Sequence, residues 1–417
     1  MQEGRKTRNQ DSPTMSTDLR IRIVPAIRDI PAKAWEACAN PVESMSQGAD
    51  SKSQRPPYNP FISHAFLLAL EASNSAAARA GWQPQHLVAE DADGAVVGVA
   101  PCYLKSHSRG EYVFDGGWAE AYERAGGSYY PKLQVSVPFT PATGRRLLVA
   151  PGPQADAIRR GLASGLVELA RLREASSVHV TFAPQDEWRL LGERGYLQRT
   201  DQQFHWENAG YKTFDDFLSA LAARKRKAIK RERREALEHG VEVVWLTGSD
   251  LTESVWDAFF AFYMETGSRK WGRPYLTRAF YSLIGESMAG RILLVMAKRA
   301  GRYIAGAINF IGSDTLFGRH WGASEHHPFL HFELCYYQAI DYAIAHGLRV
   351  EAGAQGEHKL ARGYMPVTTY SAHYIADPAL RRAVADYLKR ERAYVQAAGD
   401  ELASLGPFRR DLVVEEM

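Results

Sequence analysis

Residues 86–206 and 291–376 spell the same order of elements, and that repetition limits the fold more than any other feature of the chain. In the first stretch, "HLVAED" and "AVVGVAPCYL" flank a D-G turn, the signature of a β-hairpin. A strand (RRLLVAP) comes next, then a helix with Ile158, Leu162, Leu166 and Leu169 on one face. The β-branched strand "VHVTF", the short helix "EWRLLGERGY" and the strand "QRTDQQFHW" complete it. In the second stretch, "RILLVMAKR" and "YIAGAINFIG" form a hairpin around Ala300-Gly301, and "TLFGRHWGA" follows. The helix "PFLHFELCYYQAIDYAIAHG" is apolar nearly all round, hence buried, and stops at Gly347. "RVEAGA", "EHKLARGY" and "TTYSAHYIA" read as strand, short helix and strand. The short helices end alike, in Arg194-Gly195-Tyr196 and Arg362-Gly363-Tyr364. An internal duplication of about 170 residues explains the order, within a mixed-sheet α/β fold.

Between the copies lies "FDDFLSALAARKRKAIKRERREALEHG", rich in helix formers and closed by Gly240; the pattern predicts one helix over 214–239. Residues 224–234 hold eight basic residues against one glutamate, although the whole chain carries only +3. The run reads either as a solvated helix face or, because basic residues occur on every side of the helix, as an anion site, where Arg224, Lys225 and Lys227 are candidates for binding tRNA or the phosphates of a nucleotide-bearing donor or acceptor. The expected division is a partly disordered leader and N-terminal segment (1–57), a first unit (58–210), the basic linking helix (211–240), a second unit (241–390) and a tail (391–417). The opening residues have no apolar core, so a secretory signal is not expected. No apolar run reaches bilayer length, and Cys38, Cys102 and Cys335 show no pairing spacing. Both point to a cytoplasmic protein without a membrane span.

The stretch "EAGAQGEHKLARGYMP" carries the densest chemistry. Glu351, Gly353 and Gln355 share a strand face, and a desolvated carboxylate is a suitable base for deprotonating an amine. Gly353 and Gly356 let a substrate approach the backbone closely. His358 is a second catalytic candidate, and Lys359, Arg362 and Tyr364 are candidates for holding an anionic substrate. The competing reading pairs Glu351 with Arg349 or Arg362 and leaves the glycines to shape a turn. Arg319 and Trp321 alternate on the preceding strand and are expected to line the same pocket. His327 and His331 offer two metal ligands at helical spacing but no third, so no metal is expected. Cys335 sits in an apolar helix as a core residue. "GGSYYPKLQ" offers Tyr129, Tyr130 and Lys132 on a long aromatic loop, as an acceptor wall between the units.

Hairpin, strand, long helix, strand, short helix, strand is the element order of the GNAT acyltransferase fold. A tandem pair with a basic helix entering the second unit resembles the FemAB-like family. The stretches that carry the resemblance include "YNPFISHAFLLALE", "GGSYYPKLQVSVPFTPATG", "SRKWGRPYLT", "GRHWGASEHHPFLHFELCYY" and "EAGAQGEHKLARGYMP". They are similar to a bacterial branch tied to peptidoglycan biosynthesis or recognition, over about residues 58–390. The resemblance implies tandem GNAT-like units, and transfer of an amino acid from aminoacyl-tRNA onto a cell-wall precursor peptide. It also marks a departure. GNAT enzymes that use acetyl-CoA carry a glycine-rich pyrophosphate loop before the long helix, whereas this chain has "SEHHPFLHFE" and "APGPQADA" there.

The expected activity is therefore transfer of an acyl or aminoacyl group onto a small-molecule or peptide amine, with no tightly bound cofactor. The donor is left open between aminoacyl-tRNA and acyl-CoA. An acyl-CoA-dependent N-acetyltransferase and a non-catalytic binder of peptidoglycan or RNA are the alternatives.

Overall fold

The computed structural model describes residues 19–41, 56–271, 274–353 and 356–409. The first half contributes β1 (Arg20–Val24), β2 (Trp82–Pro84), β3 (His86–Glu90), β4 (Val96–Ala100), β5 (Cys102–Lys105), β6 (Lys132–Val135), β7 (Leu148–Val149), β8 (Ser177–Ala183) and β9 (Leu197–Trp206). The second contributes β10 (Val241–Leu246), β11 (Ile292–Arg299), β12 (Arg302–Ile311), β13 (Thr315–Ala323), β14 (Arg349–Glu351) and β15 (Met365–Ile375). Both halves lead from an antiparallel hairpin into a parallel pair bridged by a helix. The pairs are β6 with β8 and β13 with β14. The first hairpin is bent between two sheets: its outer part, β2 with β5, joins the large sheet, and β3 with β4 form a small one. Pro101, which has no N–H for a ladder, marks the bend.

Eleven strands run in the order β10-β11-β12-β13-β14-β9-β15-β8-β6-β5-β2. The two halves have exchanged their last strands. β9 of the first half pairs with β14 of the second, opposing His205 to Glu351. β15 of the second half pairs with β8 of the first, and β9 and β15 pair with each other. Apolar packing also crosses the boundary: Phe61 and Phe66 lie against Phe310, Phe317 and Phe280 at ring-centroid distances of 5.0–5.6 Å. The exchange has a measurable consequence. Residues 19–210 and 211–409, expressed as separate chains, are each expected to be insoluble or unfolded by circular dichroism, and to be recovered folded when co-expressed. Each half alone exposes an unpaired central strand edge. Two independently folding halves would contradict the pairing.

Three local expectations change. The helix expected over 214–239 is two helices, Phe214–Ala220 and Ala223–Ala236. The chain breaks at Leu221, which is extended, fully buried and bridged to Phe408, while the Ala222 N–H donates to the Pro407 carbonyl. Burying a leucine against the returning C-terminal segment outweighs one more turn of helix. That segment is no tail: a helix spans Pro378–Ser404, capped by Asp377, with Leu380, Val384 and Leu388 buried. Before residue 57, Arg20–Val24 pairs with β3, and the helix Ala32–Ala39 buries Trp35 completely. Positions 1–18 and 42–55 lie outside the described residues.

Candidate active site

β13 and β14 are paired only from Thr315 opposite Arg349 to Phe317 opposite Glu351. Beyond that point β13 runs on to Ala323 while β14 ends, which opens a notch in the sheet. Gly318 and Gly353 line it, and Gly353 takes φ +80°, a backbone region that favours glycine.

A bulge in β13 decides which side chains face which side of the notch. Gly318 opposes Asn309 and Trp321 opposes Ala307, so Arg319 and His320 together stand against the single residue Ile308. Arg319 and His320 therefore both line a small cavity with Phe61, Phe139 and Tyr281, on the side of Phe317. Trp321 points to the opposite side, against His331 at 4.9 Å. The simple alternation expected for Arg319 and Trp321 fails because the extra residue shifts the phase.

On the Arg319 side the site is composite. Glu351 is 4% exposed; its Oε2 accepts the Thr143 N–H at 3.2 Å and lies 4.0 Å from His205 Nε2. Burial pushes the carboxyl up to about 7; the Thr143 N–H and the Arg349 charge pull the other way. The Gln203 amide N donates to the Pro141 carbonyl at 2.8 Å, which turns its oxygen toward His205 Nε2 at 3.1 Å. His205 accordingly carries its proton on Nε2, and burial holds it neutral, with a pKa down to about 3. Arg319 donates to the Phe139 carbonyl at 2.6 Å. Arg146 is 1% exposed and its guanidinium donates only to carbonyls: Ala142 at 2.7 Å, Gly144 at 2.8 Å, Thr181 at 3.0 Å and Arg145 at 3.1 Å. It thereby holds the loop that delivers the Thr143 N–H. Glu351 pairs with neither Arg349 nor Arg362: Arg349 lies 3.6 Å from Asp314, and Arg362 is 2.8 Å from Glu232.

On the other side lies an aromatic surface of Trp321, His331, Phe332 and His358, with stacked or tilted rings at 4.9–6.2 Å. The His358 ring meets the Tyr336 hydroxyl at 2.9 Å and is itself exposed. The basic helix borders this surface. Its Arg233 binds Glu333 at 2.9 Å and Asp341 at 2.6 Å. Arg224, Lys225 and Lys227 make no ion pair or side-chain hydrogen bond with another described residue, and Arg224 and Lys227 are exposed. Lys359 sits at the notch. It is buried, donates to the carbonyls of Ala352 at 2.6 Å and Gly353 at 3.1 Å, and burial lowers its pKa to about 8.

Several expected site residues do other work. Arg362 is bound to Glu232, donates to the His358 carbonyl at 2.7 Å and stacks on Phe332 at 3.4 Å, so it fixes the short helix to the basic helix. Tyr364 is fully buried and donates to the Tyr336 carbonyl at 3.1 Å. Lys132 begins β6 rather than lying on a loop. Its buried ammonium needs Glu111, at 2.7 Å, and Asp115 to offset desolvation. Tyr129 is buried with its hydroxyl on Asp115 at 2.7 Å, and Tyr130 meets Ser108 at 2.9 Å. These three tie down residues 108–115 rather than forming an open acceptor wall. Gln355 lies outside the described residues. Among the described residues no three His, Cys, Asp or Glu side chains converge as metal ligands, and no helix is long and apolar enough to cross a membrane.

The sequence reading missed Thr143, Arg146 and His205, all from the first half. One signal was present: "QQFHW" alternates polar and aromatic residues in a strand that carries Gln203 and His205 into the interior.

Three of the solved structures to which the chain is similar are the following. FemX is 13% identical, covering 76% of this chain and 93% of its own, with TM-score 0.47. A tandem GNAT protein from the clavulanic acid biosynthesis pathway is 14% identical, covering 87% and 99%, with TM-score 0.45. L-PGS from Bacillus licheniformis is 10% identical, covering 80% and 98%, with TM-score 0.46. No curated protein sequence matches the chain. The FemAB-like family model, described as peptidoglycan biosynthesis/recognition, matches residues 26–410, and the chain belongs to that family.

Proposed function

We propose that the protein is a transferase that passes an acyl or aminoacyl group through the notch between β13 and β14 onto an amine. The observation that carries this reading is Glu351, a buried carboxylate with a pKa near 7 beside the opening between the two strands. In the reaction the amine nitrogen attacks the acyl carbonyl. The new C–N bond replaces the ester or thioester bond, the amine proton passes to Glu351, and the leaving oxygen or sulfur is protonated as it departs. The Lys359 ammonium has one N–H beyond those given to Ala352 and Gly353, available to the oxyanion. The acceptor occupies the Arg319 side, and the donor occupies the side of His358, Trp321 and the basic helix. Stacking rings suit a nucleotide-bearing donor, which aminoacyl-tRNA and acyl-CoA both are, and the run of basic residues along the helix favours the longer phosphate backbone of tRNA.

The test supplies labelled aminoacyl-tRNA or acetyl-CoA, separately, with a nucleotide-linked peptidoglycan peptide as acceptor. Labelled peptide from the first donor is the expected result; none from either overturns the reading in favour of binding alone. A second measurement addresses the donor side. Replacing Arg224, Lys225 and Lys227 with Ala should weaken binding of bulk tRNA at low salt and lower the log–log salt slope by about two to three. Unchanged binding at 50 mM salt, about the low end of the range where phosphate contacts dominate, would return these residues to a solvated helix face.

A further inference from the structure

We infer that Arg319 is the binding point for a carboxylate of the acceptor, so that the site takes an amino-acid-like or peptide-like amine whose own carboxylate anchors it beside Glu351. The inference rests on the transferase reading for the role of Glu351, but not for the binding itself. Arg319 stands two residues beyond Phe317, the residue paired with Glu351, and strand alternation puts it on the same side of the sheet. It is only partly exposed, and among the described residues it forms no ion pair with a carboxylate. Its electrostatic neighbours are Tyr112, Tyr263 and, further off, Glu351. A partly buried guanidinium that gives N–H bonds to the Phe139 carbonyl and the Tyr112 hydroxyl keeps further donors of its five in the planar fork that matches a carboxylate.

The occupant of that fork indicates the chemistry. The loop from the first half places the Phe139 carbonyl oxygen on Arg319 and the Thr143 N–H on Glu351. An acceptor with a carboxylate and an amine presents the same two groups, an oxygen to the cation and an N–H to the base. A carboxylate is the better partner for Arg319 than a neutral carbonyl, since it brings a full opposite charge and two oxygens that the planar fork can hold in bidentate fashion. Such an acceptor displaces the Phe139 carbonyl, and the small cavity lined by Pro138, Phe139, Thr140 and Arg319 lies at the place where the loop would yield.

The test is a binding measurement that needs no donor. Dipeptides with a free α-amine and a free C-terminal carboxylate are titrated into the full-length protein by calorimetry, each beside its C-terminal amide. The acids are expected to bind about 10- to 100-fold tighter than the amides, the range of one charge-assisted contact. Arg319→Met should erase that difference, Arg319→Lys should keep part of it, and Glu351→Gln should leave it intact. Circular dichroism confirms that each variant is folded. Equal binding of acid and amide by the unaltered protein, or no binding of either, overturns the inference whether or not Arg319→Met folds. Preference for the acids together with no transfer from any donor would instead sink the transferase reading and leave the Arg319 site standing.

Discussion

Glu351→Gln is expected to lower turnover by about 10²- to 10⁴-fold, the contribution of a positioned general base. The amide keeps the volume of the carboxyl and can still accept the Thr143 N–H, but it cannot take a proton from the attacking amine. Stability should not fall with it. Burial raises the folded pKa of Glu351 to about 7, above that of the unfolded chain, so the native state binds the extra proton between the two values. Native stability is therefore favoured at lower pH and declines as pH rises through 7. The glutamine variant avoids burying that charge, so at pH 8 its thermal midpoint should equal or exceed that of the unaltered protein. A variant that loses activity only because it unfolds would assign Glu351 a structural role.

Arg146→Met is expected to give the largest loss of stability, about 3–5 kcal/mol, since several buried carbonyls lose their donor at about 1–3 kcal/mol each, with part recovered by relaxation. Methionine fills much of the space but gives nothing to the carbonyls of Ala142, Gly144, Arg145 and Thr181. Each buried acceptor left without a donor adds its own desolvation cost. The effect should also reach the site, because these contacts hold the turn that presents the Thr143 N–H to Glu351. Chemical denaturation gives the stability, and the activity pH profile of the folded fraction gives the second effect. With the Thr143 N–H loosened, the bond that lowers the Glu351 pKa weakens, and the profile should move to higher pH. A variant as stable as the parent would mean that those carbonyls are satisfied in another way.

The repeat was legible because its punctuation is local. The hairpins carry D-G and A-G turns, and Gly347 closes the buried helix in the left-handed conformation its position required. Glu351 was legible from alternation in a short strand before a glycine-rich turn. What the sequence did not show is mostly a matter of pairing. Nothing within "QRTDQQFHW" or "TTYSAHYIA" specifies that each strand joins the other half, so His205 could not be placed beside Glu351 in advance. The bulge at Arg319 and His320 is equally silent, since an extra residue in β13 is defined only against Ile308 of β12. The break at Leu221 escaped because leucine is a strong helix former, and only the returning segment at Phe408 makes the extended conformation favourable. Lys132 read as a loop cation because its partners, Glu111 and Asp115, lie in a separate segment.

The account's central claim is that Glu351 acts as the base at the notch, and the pH dependence of kcat/KM tests it most directly. A base must be ionised to accept a proton. With the Glu351 pKa near 7, the rate should be low under acid conditions, rise through pH 7 and then level off. The residual activity of Glu351→Gln should lack that inflection, while Arg362→Ala, a change to the contact with Glu232, should keep it. An inflection near 7 that survives in Glu351→Gln, or a profile flat from pH 5 to pH 9 in the unaltered protein, would contradict the account.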